Sequence, residues 1–145
     1  MKVTLCELGL QIQLGHPLGD TCANPELCSG DNFTILNTQS IQSVSLDFCT
    51  CGASHQSKTS QLFRSQFYPA TVANPQTAAT FHALEMFKLL SYISKVSVFG
   101  YYQALSRLSD NSGLNVPNVS LSIFVYLSCV VVMIQPQDWY KAFLR

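Results

Sequence analysis

The chain has 145 residues, of which 48% are hydrophobic and 11% are charged, and its formal net charge is zero. This composition predicts about one globular domain with a substantial core and excludes a disordered polypeptide. Proteins that bind nucleic acid on their own normally carry a basic excess, so the zero net charge argues against strong independent binding to DNA.

Short strand-like runs and turns occupy the first part of the chain. Residues 8–14 alternate apolar and polar side chains, which predicts a half-buried strand. Residues 15–20 contain two glycines and a proline, a composition typical of a turn. Two more strands are predicted over residues 33–36 and 41–48, with residues 37–40 as their hairpin connection.

Helical patterns follow a polar stretch, residues 53–60, which we interpret as a linker. Thr77 is expected to cap a helix that runs from Ala78 to about Ser94. A second helix is predicted from about Val98 to Ser109. The buried stripe of the first helix is expected to contain Phe81, Leu84, Phe87, Leu90 and Ile93.

Six cysteines permit disulfides, as in a secreted chain, or metal ligands, as in an intracellular one. His16 and Cys22 flank a turn, so both can reach one ion. Cys49 and Cys51 lie at positions i and i+2, which in an extended chain places both sulfurs on the same side. The intervening hairpin can return the second pair to the first. The pattern predicts one zinc ion bound by His16, Cys22, Cys49 and Cys51.

Spacing alone leaves a second interpretation open, in which these cysteines are small buried residues or form a disulfide. His55 follows Cys51 closely and could replace His16 as a ligand, although its polar surroundings favour a solvated side chain. The remaining cysteines and histidine are expected to lie outside the site: Cys6, Cys28, Cys129 and His82.

These elements predict an α+β fold class. A small zinc-tied β subdomain is expected over residues 1–52, followed by the linker at 53–60 and a helical subdomain over residues 61–117. The sequence has no internal repeat and no low-complexity tract.

Motifs of common enzyme classes are absent from the sequence. It has no P-loop, no G-x-S-x-G and no H-E-x-x-H. The eight acidic residues are scattered, and no pair suggests general acid–base or two-metal chemistry. Nothing in the sequence selects Cys22 or Cys49 as the nucleophile of a Cys–His pair. We therefore predict that the chain is not an enzyme.

Several ordered motifs resemble one family. Residues 8–16 and 22–25 resemble an "LGLxxQLGH…CxNP" opening, and residues 40–51 resemble "GIHxVxxxFCxC". Three later stretches, residues 61–64, 67–71 and 75–81, resemble "QLLR…FPAT…PxTAxTF". The chain is thus similar, over roughly residues 5–117, to the CxC-type cysteine-cluster domain associated with KDZ (Kyakuja–Dileera–Zisupton) transposases of fungi.

The resemblance implies a zinc-chelating accessory domain attached to a DNA transposase. It implies weak DNA contact at most, a transposase catalytic domain as partner, and a nuclear location. The chain departs from the pattern at Ser40 and Gln42, where the family has Gly and His. It resembles the family domain without further upstream cysteines and without the downstream catalytic domain, so we expect a fragment truncated at both ends that does not cut DNA.

A second hypothesis is a small secreted or membrane-associated protein with disulfides. The first residues contain one lysine but no clean apolar run, and Glu7 and Gln11 interrupt them, so a signal peptide fits poorly. An intracellular location is therefore favoured. Bound zinc after reducing purification supports the first hypothesis, and mapped disulfides support the second.

An almost wholly apolar block at residues 118–134 is unusual for this chain. It is shorter than the roughly 20 residues that span a bilayer comfortably, and no basic residue flanks its N-terminal side, so a membrane span is not expected. The family resemblance stops before this block and resumes at residues 138–145, which are similar to "DRYxxFxR". We interpret the block as a retained intron and residues 135–145 as the resumed family-like tail. The alternative is a buried helix packed on Phe81, Leu84 and Phe87.

The intron interpretation predicts a spliced transcript that joins the codons near Pro117 directly to those near Gln137. Sequencing of transcripts across this region tests it. A peptide spanning residues 119–135, detected by mass spectrometry of the native protein, would contradict the interpretation.

Overall fold

The computed structural model describes residues 3, 5–28, 32–52, 56–112 and 119. Within these ranges a six-stranded sheet and three helices confirm the predicted mixed fold class. The elements in chain order are β1 (Gln11–Gln13), β2 (Pro25–Leu27), β3 (Phe33–Leu36), β4 (Ile41–Cys49), α1 (Lys58–Arg64), β5 (Phe67–Pro69), β6 (Thr77–Thr80), α2 (Phe81–Ser94) and α3 (Val98–Ser109).

Some predictions fall outside the described residues. They concern His55, Cys129, the tail at 135–145 and the apolar block at 118–134 apart from Val119. These remain predictions.

The sheet is built around β4, its longest strand. β4 pairs with β3 in antiparallel fashion, from Phe33 opposite Val44 to Leu36 opposite Ile41, and this pairing confirms the predicted hairpin. β3 pairs in parallel with β6, and β6 pairs in antiparallel fashion with β5. The strand order is β1-β4-β3-β6-β5, with β2 also on β4.

The C-terminal half of β4 has a neighbour on each edge. β1 runs parallel to it, with Gln13 opposite Asp47. β2 runs antiparallel to it, with Leu27 opposite the same Asp47 and Pro25 opposite Cys49. A residue paired with two strands at once must have one on each side, so this part of β4 lies inside the sheet.

Apolar clusters cover both faces of the sheet. Ile35 and Leu36 are consecutive in β3 and therefore point to opposite faces, and they belong to different clusters. The cluster around Leu36 packs against α2 and α3, while the cluster around Ile35 includes the fully buried Leu62 of α1. Helices therefore pack on both sides of the sheet.

The predicted boundaries of α3 are confirmed, whereas the predicted start of the preceding helix is wrong. Thr77–Thr80 is strand β6, and the helix begins at Phe81 with Thr80 as its N-cap, whose hydroxyl accepts a hydrogen bond from the N–H of Ala83. Pairing with β3 on one side and β5 on the other outweighs the helical propensity of the two alanines. Strands β5 and β6 therefore both lie within residues 61–117, the subdomain predicted to be helical.

The start of α1 and the predicted stripe of α2 also differ in part from expectation. α1 begins at Lys58, inside the segment interpreted as a linker, with Ser57 as its N-cap. Leu84 and Phe87 are buried, and Phe81 and Leu90 pack at the edge of their cluster, but Ile93 is 76% exposed. None of the helices found in the described ranges combines the length and apolarity that a bilayer span requires.

Strand β5 is the last strand of the sheet in the part of the chain that the structure describes. The C=O of Gln66 accepts from the N–H of Phe81, and the N–H of Ala70 donates to the C=O of Thr77, so both of these flanking residues face β6. Since backbone groups alternate along a strand, Phe67 and Pro69 point their backbone groups away from β6.

Candidate metal centre

The topology brings the four predicted ligands to one edge of the sheet. Parallel strands end at the same edge, so the C-terminal ends of β1 and β4 meet there, and the antiparallel β2 begins there. His16 follows the end of β1, Cys22 precedes the start of β2, Cys49 ends β4 and Cys51 lies just beyond it. Each predicted ligand therefore lies in β4 or close to the end of β4 or of a strand that pairs with it.

The four donor atoms converge. His16 Nε2 lies 3.1 Å from Cys49 Sγ and 3.0 Å from Cys51 Sγ. Cys22 Sγ lies 3.5 Å from Cys49 Sγ and 3.6 Å from Cys51 Sγ, and the last two sulfurs are 2.9 Å apart. All four atoms fall within 4.8 Å of one another, and all four residues are half-buried. The arrangement is a potential metal-binding group made of the residues that the sequence predicted.

The size of the cluster suits a tetrahedral ion. Zn–S bonds of about 2.3 Å place two sulfurs of a tetrahedral site roughly 3.8 Å apart. The distances from Cys22 Sγ to the other two sulfurs are already close to this value, at 3.5 and 3.6 Å. The sulfurs of Cys49 and Cys51, 2.9 Å apart, would have to separate by roughly 0.9 Å around the ion. With that expansion, three thiolates and one imidazole fit a Cys₃His site.

Electrostatics within the cluster oppose the ionisation of all three thiols together. Desolvation acts to raise the pKa of Cys22, but hydrogen bonds from the Asn24 backbone and from Cys49, Cys51 and His16 outweigh it and lower the pKa to about 6. The pKa of Cys51 is raised to about 12, mainly by hydrogen bonds to Cys49 and Cys22. Desolvation and the coulombic effect of Cys22 and Cys49 raise it further. The cluster thus favours the thiolate of Cys22 and opposes that of Cys51, whose negative charge a divalent cation would neutralise.

Gly15 makes room for this arrangement. Its φ is +86°, a left-handed conformation that side chains disfavour, and it precedes His16 in the turn after β1. A Cβ added here would lie 2.5 Å from Cys49 Cβ and 3.2 Å from Gln61 Oε1. Glycine is therefore required both by the backbone conformation and by the close approach to Cys49, whereas the sequence alone predicts only a turn.

Gln61, on α1, holds the backbone of Cys49. Its Oε1 accepts from the N–H of Cys49 at 2.8 Å, and its Nε2 donates to the C=O of Cys49 at 2.8 Å and to that of Gln56 at 3.1 Å. The side chain is 2% exposed. Sequence reasoning did not identify this role; the only available signal is that Gln61 opens one of the motifs that resemble the family.

The other described candidates lie outside the cluster, as predicted. Cys6 Sγ is 3.1 Å from Ser45 Oγ, and the buried Cys28 donates its thiol to the C=O of Pro75 at 3.3 Å. His82 is exposed beside Glu85 on α2. None of the described cysteines is in a disulfide.

Gly15→Ala is expected to destabilise the fold by about 1–3 kcal/mol through its left-handed φ, and by more through the contact with Cys49. Gly9→Ala is the matched control, because Gly9 has a φ of +79° but nothing within 4 Å of an added Cβ. Urea unfolding and metal affinity of both variants provide the test. Equal losses in the two variants would show that the contact with Cys49 is unimportant.

Of three comparisons with known proteins, one gives a match. No curated protein and no solved structure matches the chain significantly. A family model described as "CxC2 like cysteine cluster associated with KDZ transposases" matches residues 5–113. The matched range contains every strand and helix described above and all four residues of the cluster. Because the match covers more than half of the chain, the protein belongs to the CxC2-like cysteine-cluster family associated with KDZ transposases.

Proposed function

We propose that the chain is a non-catalytic, zinc-binding accessory module of a KDZ-type transposase. The observation that carries this proposal is the convergence of one imidazole and three sulfurs within 4.8 Å at one edge of the sheet. Family membership supports the association with a transposase.

The donor set favours zinc over other common ions. Thiolates are soft ligands that select zinc, copper(I) or iron–sulfur clusters, whereas magnesium and calcium prefer oxygen. A Cys₃His set is a standard composition of structural zinc sites. Four protein ligands complete the tetrahedron and leave no position for a reacting water, so the site suits a structural role.

The ion would connect parts of the chain that are distant in sequence. His16 and Cys22 belong to the connection between β1 and β2, and Cys49 and Cys51 belong to the end of β4. Binding of the ion would close this connection onto the sheet, so part of the binding free energy would stabilise the fold.

Within the parent protein, we propose a location in the nucleus and contact with DNA or with the transposase catalytic domain. Eight basic residues balance eight acidic residues over the whole sequence, so the chain has little net attraction for phosphates. Affinity for DNA, if the module contacts it, would therefore depend on the parent protein.

The first test is metal content. One zinc ion per chain is expected in the reduced, folded protein, measured by mass spectrometry of elements. Cys49→Ser and Cys51→Ser should each abolish stoichiometric zinc, because each removes one of four ligands. Cys6→Ser is the matched control, since Cys6 lies beside Ser45 outside the cluster. A folded, reduced protein without zinc, or a native protein whose cluster cysteines form disulfides, would contradict the proposal.

The second test is DNA binding and cleavage. Weak binding that falls steeply with salt is expected, with no strand cleavage in magnesium or manganese, because net charge is zero and no carboxylate pair suggests a catalytic site. Fluorescence anisotropy and plasmid nicking measure the two properties. Tight binding at physiological salt, or nicking that copurifies with the chain, would count against the proposal.

A further inference from the structure

The ladder between β1 and β4 ends just before the metal centre. Gln13 opposite Asp47 is the last pair of the register, and the N–H of Leu14 donates to the C=O of Asp47 at 2.9 Å. Alternate residues of a strand direct their backbone groups to the same edge, so the N–H and C=O of Cys49 also face the β1 side. The left-handed φ of Gly15 turns the chain away at this level.

The side-chain amide of Gln61 replaces the missing backbone partner of Cys49. It accepts from the N–H and donates to the C=O of this one residue, both at 2.8 Å, as a peptide group of a neighbouring strand would. Its second N–H donates to the C=O of Gln56, so the amide has a partner for each of its donors. Because the side chain is 2% exposed, water competes little for these hydrogen bonds.

We propose that Gln61 is a positioning residue of the metal centre, which sets the backbone of Cys49 so that its sulfur faces the other three donors. This inference rests on the proposed zinc function. Gln61 also connects the site to α1, because the amide belongs to a helix that begins after the site in sequence. Metal affinity therefore depends on a residue that does not bind the ion.

The test compares Gln61→Met with Leu62→Ala. Methionine has a side chain of similar length to glutamine but makes neither hydrogen bond to Cys49. Leu62 is the next residue of α1 and is fully buried in the apolar cluster on that side of the sheet. Its truncation weakens the fold without removing the hydrogen bonds to Cys49. Gln61→Asn is a milder second variant, because it keeps an amide but shortens the side chain by one methylene.

Cobalt(II) and zinc affinities are measured for the full chain, together with urea midpoints of the metal-free proteins. Removal of groups that orient metal ligands typically costs about 10- to 100-fold in affinity. When variants are compared at the same urea midpoint, both Gln61 variants should therefore lose more metal affinity than Leu62→Ala. The thiolate-to-cobalt charge-transfer band should also weaken in the Gln61 variants and stay unchanged in Leu62→Ala.

The outcomes separate this inference from the proposed function. If the wild-type chain binds metal and the Gln61 variants lose no more affinity than Leu62→Ala, Gln61 is merely structural and the inference is overturned. If the wild-type chain binds neither ion, the proposed function fails, and the inference fails with it.

Discussion

The candidate metal centre depends on the pairing of β4 near its C-terminal end. At Asp47 this strand has a parallel neighbour on one edge and an antiparallel neighbour on the other. This combination places the end of β1, the start of β2 and the end of β4 at the same edge of the sheet. A shift of either register by one residue would turn the paired side chains to the opposite face and separate the donors. The geometry of the cluster is therefore a consequence of strand register rather than of the spacing of its residues in the sequence alone.

The four residues of the cluster could be predicted from the sequence because each half of the cluster is local. A turn joins His16 to Cys22, and an extended chain aligns Cys49 with Cys51. The way in which the halves meet could not be predicted. The predicted β3–β4 hairpin exists, but the pairing of β4 with β1 and β2 brings the halves together. All three residues of β2 are exposed, so no apolar alternation marks that strand.

Tertiary contacts also explain the other differences between prediction and structure. α3 has a clear N-cap and polar end, and its bounds were predictable from local signals. Thr77–Thr80 contains residues compatible with either state, and its two strand neighbours decide for β structure. The role of Gln61 depends on the backbone of a residue in another element, Cys49, and neither composition nor periodicity reports such a contact.

The proline in β5 has a consequence for association between molecules. An exposed row of backbone N–H and C=O groups is a template on which another chain can add a strand, a common route to aggregation. Of the two β5 residues that face outward, Phe67 offers a donor, but Pro69 has no N–H. A strand that approached β5 from the side away from β6 would therefore meet the C=O of Pro69 but no N–H at that residue. Within the described residues, this margin therefore resists pairing with another strand at Pro69, which is itself buried and whose main chain lacks a donor.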